Sequence, residues 1–76
     1  MRYGSSVRSA EMHDHASATH EQCAERHALS AEFWEERGDQ ELAELERRNA
    51  QIERDAAELE ADRARLVRER GGLTAR

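Results

Sequence analysis

Trp34-Glu35-Glu36-Arg37-Gly38-Asp39-Gln40-Glu41-Leu42-Ala43 is the stretch on which the fold turns. Gly38 is the one glycine in the long middle of the chain, with strong helix formers on both sides. A glycine there suits the left-handed backbone that lies just past a helix C-terminus. Asp39 can then accept the first amide hydrogens of the next helix as its N-cap, with Glu41 in the positively polarised first turn. Working outward, one helix is expected over about residues 7–37 and a second over 40–70. Ser5 or Ser6 would cap the first, residues 1–6 would form a flexible tail, Gly71-Gly72 would stop the second, and 71–76 would form a C-terminal tail. Arg63, Arg65, Arg68 and Arg70 near the end of the second helix complement its dipole. Two helices of near-equal length joined by a tight turn make an antiparallel hairpin, an all-α fold. The rival is a single unbroken helix, because one internal glycine costs only about 1 kcal/mol.

Composition agrees with helices and with little else. The 76 residues include 13 Ala, 13 Glu and 12 Arg, with no Pro and no Lys. β-branched and aromatic residues are too few for a sheet. The larger apolar side chains cannot by themselves offset the ordering of so many residues. Self-association or a helical partner is therefore expected. A net charge of −5 argues against nucleic-acid binding. No run approaches 18 apolar residues, which excludes a spanning helix. The first six residues lack the apolar run of a secretory signal, and Cys23 has no intramolecular disulfide partner; both point to a reduced, cytoplasmic setting.

The second helix carries a heptad seam. Leu45, Ile52, Leu59, Leu66 and Leu73 fall at d, and Leu42, Asn49, Ala56, Arg63 and Arg70 fall at a. Leu42, Leu45, Asn49, Ile52, Ala56, Leu59 and Leu66 form the expected interface, with Asn49 a register-setting polar residue. Glu46, Glu53 and Glu60 stand at e. Ala43, Ala50, Ala57 and Ala64 form another seven-residue column, and His13, His20, His27 and Trp34 do the same in the first helix. Folding at Gly38-Asp39 sets residue i against residue 77−i, so each ring would lie over an alanine methyl. That frees the aliphatic seam for a second molecule. A homodimer making a four-helix bundle or coiled coil follows.

Other residue groups carry further expectations. Cys23 and His27 at i and i+4, or His20 and Cys23 at i and i+3, can share a transition metal, although the second helix supplies no His or Cys. A metal-responsive bundle using His20, Cys23 and His27 is the alternative function; the leading reading needs no cofactor. Protonated histidines would form near pH 6.5 beside Arg63–Arg70, and repulsion there would loosen the open end. Phe33 and Trp34 beside the turn form a candidate partner patch. Nothing resembles a nucleophile with an oxyanion loop or a deep pocket, so no catalysis is expected.

Two resemblances follow from these residues. Ala31–Ala50, with Gly38-Asp39 at its turn and Ala43 and Ala50 at its small second-helix positions, resembles part of a tetratricopeptide repeat. Arg47 stands where that repeat has an aromatic residue, no proline ends the unit, and no second copy follows. The resemblance implies a shared hairpin geometry. Over the whole chain, His20-Glu21-x-x-Ala24…His27…Phe33…Gly38-Asp39 resembles uncharacterised small helical-hairpin proteins of GC-rich bacteria, a source that the all-arginine cation usage also fits. That resemblance implies no activity. The function expected is a non-enzymatic helical interaction or assembly module, associating with itself or with another helical protein.

Overall fold

A computed structural model describes residues 2–74, with side chains from 8 to 71. Helix α1 runs Arg2–Glu36 and helix α2 runs Gln40–Thr74. They fold back on each other as an all-α hairpin whose Cα trace measures 59 × 12 × 10 Å.

The turn is built as its residues dictate. Gly38 adopts φ +79°, the left-handed region, where a side chain is strained and glycine is not. The amide of Gly38 donates to the Glu35 carbonyl at 3.0 Å, and the amide of Asp39 donates to the Trp34 carbonyl at 2.9 Å. This pair of bonds is the Schellman closure of a helix C-terminus. Asp39 also opens α2: its Oδ1 accepts from the Leu42 amide at 3.0 Å, and its carbonyl accepts from the Ala43 amide at 3.1 Å. One residue thus closes α1 and caps α2, which leaves a three-residue connection too short for any topology but an antiparallel hairpin.

The helices meet along alanines. The buried apolar residues are Ala10, Ala24 and Ala31 of α1 and Ala43, Ala50, Ala57 and Ala64 of α2, each no more than 3% exposed. Among the described residues no large side chain is fully buried. Ser17 stands in the same row of α1 and donates from Oγ to the Ala57 carbonyl at 2.8 Å. That bond from a side chain to the opposite backbone brings the two helices close at a serine, where a leucine would hold them apart. Counting seven residues outward from it sets Ala24 beside Ala50, Ala31 beside Ala43 and Ala10 beside Ala64.

Two expectations are corrected. The first concerns the helix ends. Helix α1 begins at Arg2, earlier than residue 7, so Ser5 and Ser6 lie inside it, and their side chains are outside the described residues. Helix α2 passes through Gly71-Gly72 to Thr74. Gly71 is buried seven residues beyond Ala64, so it extends the small-residue row. Packing there overrides the roughly 1 kcal/mol helix cost of a glycine. Residues 75 and 76 of the expected tail lie outside the described residues. The second correction concerns register. Ser17 against Ala57 makes residue i face 74−i, not 77−i. Rings therefore do not stack on methyl groups; alanine meets alanine.

Candidate functional site

Two surfaces result from this packing. One is the polar border along the helix–helix groove, and the other is an apolar ridge on the outside of α2.

The histidine column lies on the groove border. Each histidine is placed three residues after a seam position of α1, and each e-position glutamate three residues after a seam position of α2. Helical geometry puts both on the same flank. His13 Nδ1 lies 2.9 Å from Glu60 Oε2, His20 Nδ1 lies 3.0 Å from Glu53 Oε1, and His27 Nδ1 lies 2.8 Å from Glu46 Oε2. The result is a three-rung ladder of half-buried His–Glu pairs, one per heptad. Glu60 also accepts from Arg63. Hydrogen bonding to His13, and next to Arg63, holds the Glu60 carboxyl below its usual range. The expectation that the histidines face arginines is corrected: they face carboxylates, and Arg63 reaches His13 only across Glu60.

Trp34 continues the histidine row toward the turn and is half-buried. Its ring meets Phe33 edge-on, with centroids 5.1 Å apart. Phe33 is 43% exposed, and the Arg37 guanidinium covers its ring at 3.4 Å from the centroid. On the opposite flank of the groove, Arg68 donates to Asp14 at 2.6 Å and Arg47 donates to Glu35. The Arg68 bond holds the Asp14 carboxyl below its usual range and raises the guanidinium.

Cys23 is half-buried beside the second rung. Glu53, the carboxylate that also pairs with His20, and burial raise the thiol above its ordinary range. His27 is engaged with Glu46, one rung away. Among the described residues no three His, Cys, Asp or Glu side chains are grouped to hold a metal ion.

The ridge is the larger feature. Leu45, Ile52, Leu59 and Leu66 are 54%, 64%, 50% and 38% exposed, and Leu42 is 36% exposed. Asn49 is exposed among them, and Ala56 is half-buried. At about 100° per residue the d positions lie roughly 160° around α2 from its alanine row. The helix therefore has two apolar faces: a narrow alanine face turned to α1 and a broader aliphatic face turned away from it. The e-position glutamates of the ladder lie between the two. Met12 and Leu29, 70% and 65% exposed, stand on α1 and do not form a continuous row.

The register of the alanine seam and the His–Glu ladder were both missed from the sequence. Ala10-Ser17-Ala24-Ala31 repeats with the period of Ala43–Ala64, and the histidine and glutamate columns follow these two rows at equal offsets. Those matched offsets were the available signal. Among the described residues no helix is long and apolar enough to cross a membrane.

No protein-family model matches this chain, and neither a curated protein nor a solved structure matches it.

Proposed function

We propose that this chain is a non-catalytic helical interaction module that associates through the aliphatic ridge of α2. The observation that carries the reading is the exposure of Leu45, Ile52, Leu59 and Leu66 in one row, spaced one heptad apart. Isolated exposed leucines are ordinary on protein surfaces, but a continuous apolar row is a docking surface. The hairpin interior strengthens the argument. Alanine methyls bury little apolar area, so the seam supplies much less hydrophobic stabilisation than the covered ridge would. In this reading Leu42, Leu45, Ile52, Ala56, Leu59 and Leu66 make the contact, and Asn49 selects its register.

The experiment is sedimentation velocity on the wild-type chain and on Ile52→Glu/Leu59→Glu, with circular dichroism alongside. The reading expects wild type to sediment as an oligomer and the double variant as a monomer with reduced helicity or melting temperature. Identical sedimentation and identical melting would overturn it.

A further inference from the structure

We infer that the ridge is covered by a second copy of this chain lying antiparallel to the first, so that the turn of one hairpin sits beside the open end of the other. This inference rests on the ridge being an association surface and adds the identity and direction of its occupant.

Charge distribution gives the direction. The turn end, residues 29–48, holds seven carboxylates against three arginines, a net of −4. The open end, residues 8–14 with 63–70, holds three carboxylates against five arginines, a net of +2. Two copies side by side in the same direction would set −4 against −4. Reversing one sets each acidic end against a basic end, and it does so twice. Like charges facing each other are destabilising, and complementary ends steer the approach.

Side-chain spacing agrees. With the copies reversed, Ile52 falls beside Leu59 of the second copy and Leu45 beside Leu66 of the second copy. Length agrees as well. The ridge from Leu42 to Leu66 runs about 36 Å along a hairpin 59 Å long. A second hairpin of equal length covers the whole ridge, where a shorter helix would leave part of it in water.

Double electron–electron resonance tests the direction. Two single-cysteine variants, Gln40→Cys and Glu44→Cys, are made in a Cys23→Ser background; both positions are exposed and off the ridge. At about 1.5 Å per residue, the antiparallel arrangement sets the two Gln40→Cys labels about 47 Å apart and the two Glu44→Cys labels about 35 Å apart. A same-direction pair would give under about 25 Å at both sites, since packed helices lie 8–10 Å apart. The expected result is an oligomer with a distance that shortens from position 40 to position 44. Two short, equal distances in an oligomer would overturn the antiparallel direction and leave the ridge as the association surface. A monomer in sedimentation, with no intermolecular distance at either site, would overturn the association itself. Wild-type chain sedimented in parallel shows whether any loss comes from the Cys23 replacement.

Discussion

Ala50→Leu is the substitution that most sharply distinguishes the two apolar faces of α2. Ala50 is 1% exposed and sits at the middle of the seam. One heptad away, the Ser17 hydroxyl bonds the Ala57 backbone at 2.8 Å, so the helices approach too closely for a larger side chain. Leucine adds three carbons, and the helices must separate or the side chain must leave its rotamer. Overpacking of this kind costs about 1–3 kcal/mol. For a domain of this size each kcal/mol moves the melting temperature by about 4–8 °C, so a loss of roughly 4–24 °C is expected. Ala18→Leu is the control. Ala18 is exposed on α1, and a leucine there should change stability by no more than about 0.5 kcal/mol. Thermal melts by circular dichroism at matched concentration, with urea melts as a check, give both numbers. If Ala50→Leu melts at or above the wild-type temperature, added apolar area outweighs close packing, and the argument that small size defines the seam fails.

Three other outcomes follow. Gly38→Ala forces a side chain into a left-handed backbone and should cost about 1–2 kcal/mol, although no atom lies within 4 Å of the added methyl; an unchanged urea midpoint would mean the turn is not held at positive φ. Asp14 and Glu60 carboxyls sit below their ordinary range, so their contribution to folding is complete above that range and is lost as pH falls through the lowered folded values. Glu60→Gln should therefore narrow the gap in melting temperature between pH 6 and pH 2.5, and an unaltered gap would count against the pairing. The Cys23 thiol, raised by Glu53 and by burial, should alkylate with iodoacetamide at pH 8 more slowly in the folded chain than in urea. Glu53→Gln should speed the folded reaction, and equal rates would remove Glu53 as the cause.

The turn was legible because it depends on local chemistry. Only glycine sits comfortably at Gly38, and Asp39 has the short acceptor that an N-cap needs. The inward face of α2 was legible as well, since Ala43, Ala50, Ala57 and Ala64 interrupt an otherwise charged helix at a fixed period. Helix α1 was harder. Its inner face differs from its other faces in size more than in polarity: Ala10, Ser17, Ala24 and Ala31 go inward, while Met12 and Leu29 stay out. A reading guided by large side chains put His13, His20, His27 and Trp34 on the inner line, and this displaced the register by about one turn. Backbone approach chose instead the smallest residues for the seam and left the imidazoles on the border, where Glu46, Glu53 and Glu60 meet them. The open-end boundaries were missed for a related reason. Gly71 reads as a helix stop by propensity, but its lack of a side chain suits the position it takes in the seam.

Side-chain footprinting against protein concentration tests the central claim most directly. Hydroxyl-radical labelling of Leu45, Ile52, Leu59 and Leu66 is compared with that of Met12 and Leu29, exposed residues on the other helix. A chain that keeps alanines inside and uses its aliphatic ridge for association should protect the four ridge residues as concentration rises, while Met12 and Leu29 stay reactive. Ridge labelling that is high and constant from micromolar to millimolar chain would contradict it.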